Sequence, residues 1–461
     1  MIKSLLRRLQ STCQASELST FSHISLKLNE SIWIRGRVHK TRVKGNIGFL
    51  ILRNQLSTVQ CCLFKSDSLP KSSLKYIESL PNESIIDIYG KVTKSEKPTS
   101  CSISDYEIQV QKYSLVSRSQ EMLPFSYEEG LIADRVQLKT RLDSRVMDLR
   151  LPVNFTIFQL TSILCDYFRR SLLDRNFIEI HSPKIIEGVS EGGSEVFITD
   201  YFGRKACLAQ SPQLYKQMAI LGDLDKVFEI GPVFRAENSN THRHLCEFTG
   251  LDIEMTLVYD YLEVVKLVYK MFVKIFTAFD EKKELEVVYK HFGVEKISFK
   301  EDLVMFTFEE ACSLLREEGF TQEVLHDISQ ENEKSLGKIV KRKFNTDFYV
   351  VHRYPTMVRP FYTKPCEDNM DFSCSFDFFL RGEEIASGSQ RIHDYEELKK
   401  NALQRSVNID SIQSYLDCFK YGAYPHGGCG LGLERVIMLY LGIPNIRYAS
   451  MFPRDPKRLN P

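Results

Sequence analysis

Two alternating runs flank a polar loop at residues 234–255 and restrict this chain more than any other segment. Val233, Arg235 and Glu237 alternate with Phe234 and Ala236. Beyond the loop, Phe248, Asp252 and Glu254 share one parity while Leu251, Ile253 and Met255 share the other. Period-two alternation belongs to extended chain with one packed face, so the segment predicts a strand–loop–strand hairpin. Its other face carries an arginine, carboxylates and an aromatic ring, which a purely structural sheet has little use for. The loop holds Asn238, Asn240, His242, Arg243 and His244, all able to donate hydrogen bonds to phosphate oxygens. The segment therefore points to a nucleotide site on an antiparallel sheet.

The 461 residues suffice for two or three domains. With 61 basic and 60 acidic side chains, any nucleic-acid surface must be a local patch. Apolar runs are too short for a membrane-spanning helix, and no membrane partner is expected. The twelve cysteines include no C-x-x-C pair and read as reduced, mostly buried thiols. Met1–Ala15 carries Lys3, Arg7 and Arg8, with no acid before Glu17 and with apolar residues at helical spacing. That composition suits a short basic helix touching RNA, or a mitochondrial presequence. Cytoplasmic localisation is the expectation and mitochondrial import its alternative.

The organisation expected is a basic extension over 1–29, an all-β module over 30–118, a polar linker over 119–141 and an α+β domain over 142–461. Five short β-rich runs, with a helix near Leu74–Leu80 after the third, follow the order of an OB-fold barrel. Its strands offer Arg35, Arg37, Arg53, Phe49 and Gln60, and an exposed aromatic among arginines suits base stacking. In the larger domain, Phe155–Arg175 has the spacing of an amphipathic helix, and 259–345 reads as mainly helical. Hairpin spacing elsewhere predicts an antiparallel sheet, and neither a P-loop nor a dinucleotide glycine fingerprint occurs.

Three further segments carry candidate chemistry. Glu191 sits in the glycine-rich run 190–194, and Gln213 lies one helical turn before Lys216. Arg381-Gly382 marks a hairpin that brings Asp377 and Glu384 within reach, with Ser387 nearby. Two neighbouring carboxylates repel unless a cation lies between them, and beside a polyphosphate Mg²⁺ is the natural choice. Near the carboxyl end, small residues from Gly427 to Gly432 precede a helix whose first turn carries Arg435. The helix dipole disfavours a cation there, so an anionic partner is expected.

Taken in order with Gln210-Ser211-Pro212-Gln213 and the terminal Phe452-Pro453-Arg454-Asp455, these segments resemble class II aminoacyl-tRNA synthetases, specifically the aspartyl type of eukaryotes and archaea. The resemblance runs from about residue 30 to the end. It implies an OB-fold barrel joined to an antiparallel catalytic sheet flanked by helices, acting as a homodimer with Pro183 in the interface. The substrates it implies are L-aspartate, ATP and tRNA(Asp), with Mg²⁺ as cofactor. Arg235 and Arg435 would be the catalytic cations at the phosphates. Glu237, Arg243, His244, Phe248, Glu384 and Gly432 would complete the ATP site. Glu191, Gln213, Lys216, Asp252, Ser387 and Arg391 would hold aspartate, and Asp377, Glu384 and Ser387 the metal. Phe49 and Gln60 would read the anticodon.

Overall fold

Alternation builds the amino-terminal unit directly. In the computed structural model, which describes residues 18–187, 196–323 and 325–460, five strands close into a barrel in the order β1-β2-β3-β5-β4. They are β1 Ser31–Lys44, β2 Ile47–Asn54, β3 Ser57–Phe64, β4 Ile85–Lys94 and β5 Tyr106–Ser117, with a helix Lys71–Glu78 after the third. Ile32, Ile34, Leu50, Leu52, Val59 and Ile88 fill the interior, while Phe49 on the alternate parity stands 41% exposed. The arginines divide differently from the expected basic face. Arg53 is buried, paired with Glu83 and lying 3.9 Å over the Tyr127 ring. Arg35 is bound by Asp87 at 2.7 Å. Lys40, Arg42 and Lys44 on β1, which extend the basic region in the sequence, are the exposed basic side chains beside Phe49. Among the described residues the barrel unit comprises 18–140 with 146–152, and a second unit comprises 141–145 with the described residues from 153 to 460.

The second unit is an eight-stranded sheet in the order β12-β13-β14-β15-β16-β11-β10-β6. Its strands are β6 Ile178–Glu179, β10 Lys226–Phe234, β11 Glu247–Thr256, β12 Met305–Thr307, β13 Phe348–His352, β14 Ser375–Leu380, β15 Glu383–Gln390 and β16 His426–Gly432. A smaller sheet joins β7 Ile185–Ile186, β8 Ile198–Tyr201 and β9 Arg204–Leu208. Pairing is antiparallel throughout the centre of the large sheet, and only the edge pairs β12–β13 and β10–β6 are parallel. The helix Pro152–Leu173 buries Leu160, Leu164, Phe168 and Leu172, while Phe158 and Ile163, which the spacing also puts on the apolar side, are half-buried. Residues 259–345 supply four helices between β11 and β13, at Leu262–Asp280, Leu285–Phe292, Phe308–Glu317 and Gln330–Phe344.

The central hairpin begins earlier than its charge pattern suggests. β10 ends at Phe234, so Arg235 and Glu237 lie in the loop, although the Arg235 N–H still donates to the Cys246 carbonyl at 2.9 Å. Releasing Arg235 from the sheet frees its side chain to turn into the space above it.

Candidate active site

A cavity of about 310 Å³ opens over β10, β11, β15 and β16. Beneath it lies a buried charge cluster, of which Asp252 and Arg391 line the cavity while Lys216 and Glu254 sit behind them. The Lys216 ammonium, on the helix Gln213–Leu221, donates to Asp252 Oδ1 at 2.9 Å and to the Cys429 carbonyl at 3.1 Å, and lies 3.4 Å from Glu254. Arg391 grips Glu254 with Nε and Nη2 at 2.8 and 3.0 Å and donates to Ser389 Oγ at 2.6 Å. Burial opposes ionisation of Glu254, but Arg391 and Lys216 outweigh it and hold the carboxyl below its ordinary range. Burial likewise opposes the Lys216 charge, and Asp252 and Glu254 more than restore it.

The counter-charges of the two cations divide between two carboxylates. Asp252 serves Lys216, whereas Arg391 answers to Glu254, which motif reading left out. The glycines of β16 explain how carboxylates fit beneath the sheet. A Cβ at Gly428 would stand 2.0 Å from the Ile253 carbonyl and 2.4 Å from Glu254 Oε2, and one at Gly430 would stand 3.0 Å from Asp252 Oδ1. Cys429, between them, is fully buried away from the cavity, and burial pushes its thiol up to about 12.

One wall is cationic. Arg235, Arg243, His244 and Arg435 line it together with Glu237, Phe248 and Gly432. Among the described residues no ion pair engages Arg235 or Arg435, and the Arg235 Nε is buried without a partner. Arg243 meets only distant acids, Glu333 at 3.7 Å and Glu383 at 4.0 Å. Arg435 donates to the Glu384 and Arg243 carbonyls, both at 3.3 Å, and arginines that meet carbonyls but no close carboxylate mark a place for a ligand anion. Burial, Arg435 and Arg243 push His244 down, so it offers the wall a neutral imidazole, hydrogen-bonded through Nδ1 to Thr241 Oγ1 at 2.6 Å. Asn240 accepts from Arg447 through Oδ1 at 2.7 Å and His242 Nε2 lies 3.4 Å from Glu383, so both loop side chains are held by the protein first. Arg235 also sits 5.5 Å from the Phe248 ring, and Gly432 leaves that ring uncovered on the cavity side.

The opposite edge is acidic. Arg381 and Gly382 both take positive φ, 53° and 76°, the turn expected between β14 and β15. Asp377 stands opposite Ser387, and Glu384 opposite Phe379. A register shift between Phe378 and Phe379 puts Glu384 on the side of Asp377, which strict alternation from Ser387 would not. Burial and the neighbouring Asp377 push the Glu384 carboxyl up, against the opposing pull of Arg435, Arg359 and Arg235. Glu384 and Ser387 line the cavity. Asp377 does not: Arg359, itself a cavity-lining arginine that no motif pointed to, binds both of its oxygens.

Gln213 lines the cavity with a buried Nε2 that no described residue meets. Glu191 lies outside the described residues. Pro183 is exposed beside β7, apart from the cavity. On the barrel, Phe49 faces Arg42 on one neighbouring strand and Cys62 on the other, and Gln60 donates to Glu107 at 3.2 Å. Glu107 escaped sequence reading because it sits on β5, far along the chain from its partners.

Comparison with known proteins matches this arrangement. The family described as tRNA synthetases class II (D, K and N) matches residues 137–456, and an OB-fold nucleic acid binding domain matches 32–116. The chain is 47% identical over 453 residues to the cytoplasmic aspartate–tRNA ligase 2 of Arabidopsis thaliana, covering 94% of this chain and 81% of the relative. It is 47% identical over 447 residues to the cytoplasmic aspartate–tRNA ligase of Mus musculus, covering 94% and 89%. The solved aspartyl tRNA synthetase of Entamoeba histolytica aligns with a TM-score of 0.89 at 39% identity, over 98% of this chain and 95% of that one. A barrel followed by an antiparallel catalytic sheet, with a cationic cavity and no P-loop, is thus a member of the class II tRNA synthetase family of the D, K and N type.

Proposed function

We propose that the chain is an aspartate–tRNA ligase, converting L-aspartate and ATP to aspartyl-adenylate and diphosphate and passing the aspartyl group to the 3′ end of tRNA(Asp). The observation that carries this reading is the buried Lys216–Asp252–Glu254–Arg391 cluster under a cavity whose wall holds unpaired arginines. The aspartate-specific names of the relatives support it.

The α-carboxylate of aspartate is ionised at neutral pH and attacks the α-phosphate without a protein base. The protein's part is positioning and charge stabilisation. In this reading Arg235 neutralises the α-phosphate, and Arg243 and His244 meet the outer phosphates. Phe248 and Arg435 enclose the adenine, Glu237 accepts from its amino group, and Gly432 leaves room for it. Gln213 and Glu191 hold the amino-acid backbone. Glu384 and Ser387 offer hard oxygens suited to Mg²⁺, which would neutralise charge on the outer phosphates, while Asp377 stands behind them with both oxygens held by Arg359. Exposed Pro183 belongs to a homodimer interface, and the cytoplasmic relatives favour cytoplasmic localisation. No described helix is long and apolar enough to cross a membrane.

Selection of aspartate over asparagine follows from donor pattern. The cluster is already neutral, two cations against two carboxylates, so asparagine would not strand unpaired charge. Arg391 spends three N–H groups on protein oxygens, leaving two of its five for a substrate. A carboxylate accepts from both, whereas the asparagine NH₂ would set donor against donor. Pyrophosphate exchange measured separately with aspartate, asparagine and lysine should respond to aspartate alone. Exchange driven equally by asparagine would overturn the assignment.

The barrel's Phe49, with Gln60 beside it, is assigned to the anticodon as a stacking platform. Phe49→Ala should raise the KM for tRNA roughly tenfold, one stacked base being worth about 1–3 kcal/mol. Aspartate-dependent exchange should stay unchanged, and an unaltered KM for tRNA would remove Phe49 from the interface.

A further inference from the structure

Arg359 follows a short 3₁₀ turn at Thr356–Val358 and reaches the acidic edge of the cavity from outside the large sheet. Its Nη1 donates to Asp377 Oδ1 and to Ser387 Oγ, both at 3.0 Å, and Nη2 donates to Asp377 Oδ2 at 2.5 Å. Its guanidinium lies 3.8 Å over the Tyr354 ring, which is itself buried. Both oxygens of Asp377 are therefore engaged by one planar cation that is stacked and largely out of water. A bidentate pair in such a place is the strong kind, not an exposed contact that ions readily displace. Glu384, on the same side of β15, receives no such partner: among the described residues no ion pair engages it.

We propose that Arg359 is a positioning residue that sets the metal affinity of the acidic edge. By taking both oxygens of Asp377 and holding Ser387 beside it, Arg359 leaves Glu384 as the cavity-lining carboxylate of that edge without an ion pair among the described residues. A single carboxylate binds a hard divalent cation weakly, and such sites depend on substrate phosphates to complete the coordination. The free enzyme therefore stays nearly metal-free, and the divalent cation enters with ATP. This inference rests on the proposed metal-binding role of Glu384 and Ser387.

The test is Mn²⁺ titration of the full-length, nucleotide-free protein, following free Mn²⁺ by electron paramagnetic resonance at pH 8. Wild type should bind weakly. Arg359→Met keeps an apolar stem over Tyr354 but exposes a second carboxylate, and should bind Mn²⁺ about ten times more tightly. Arg359→Lys restores the charge without the two-point grip and should fall between them. That variant also supplies the reading should the methionine protein fail to fold. Unchanged or weakened Mn²⁺ binding in whichever variant folds would overturn the proposal. Adding Glu384→Gln to the tightened variant separates the two ideas. Loss of the gained affinity supports the ligand role, whereas tightening that persists without Glu384 refutes that role and leaves the effect of Arg359 standing.

Discussion

Replacing Lys216 with methionine will abolish aspartate-dependent pyrophosphate exchange, lowering kcat/KM by roughly a thousandfold, as expected when truncating one partner of a buried, hydrogen-bonded charge pair costs about 2–5 kcal/mol of binding. The expectation follows from the geometry under the cavity. The ammonium is 1% exposed, joins Asp252 to the Cys429 carbonyl and lies 3.4 Å from Glu254. Methionine preserves the length of the stem and removes only the charge and its donors. Asp252 then remains buried beside a thioether, and the protein should lose stability as well as activity. The double variant Lys216→Met with Asp252→Asn separates those effects, because it removes the stranded charge along with its partner. Its melting temperature should recover toward wild type while exchange stays absent. Recovery of exchange in the double variant would reduce Lys216 to a structural role.

How far the sequence foretells this site depends on whether a contact is local. The barrel is legible because each strand alternates and each connection is short, so Ile32, Ile34, Leu50 and Leu52 announce the inside. The exposure of Phe49 has the same origin. The cationic wall is legible for a related reason: Arg235, Arg243, His244 and Phe248 lie within fifteen residues of one another on one hairpin. Arg359 is different. It stands in an irregular segment whose spacing carries no periodic signal, and only the packing of Tyr354 beneath it aims it at Asp377. Glu254 shares the parity of Asp252, yet its pairing with Arg391 spans 137 residues, and parity alone cannot choose between two carboxylates. The register shift in β14–β15 is also invisible to a pattern reading, because inserting one residue inverts the face of everything beyond it. Arg53 shows the reverse error. Its parity suits an outward face, but Tyr127, from beyond the last barrel strand, covers it.

Replacing Arg235 with glutamine should produce the opposite signature from the lysine variant. Lys216 is spent on protein carboxylates before any substrate arrives, whereas Arg235 has no ion-pair partner among the described residues and keeps a buried, unpartnered Nε. An uncompensated cation is a cost to the folded state, so removing it should leave the melting temperature unchanged or raise it. Catalysis should respond strongly. With the attacking carboxylate already ionised, no proton transfer dilutes the contribution of charge stabilisation at the phosphorus. A preorganised donor of this kind is worth about 10²–10³ in kcat, and that loss should appear in single-turnover adenylate formation. The KM for aspartate should move less than about twofold, because Arg391 and Lys216 beneath the cavity are untouched. A glutamine variant with near-normal kcat would remove Arg235 from the reacting phosphate. One that melts early with kcat intact would make its role that of a packing partner for Phe248, 5.5 Å away.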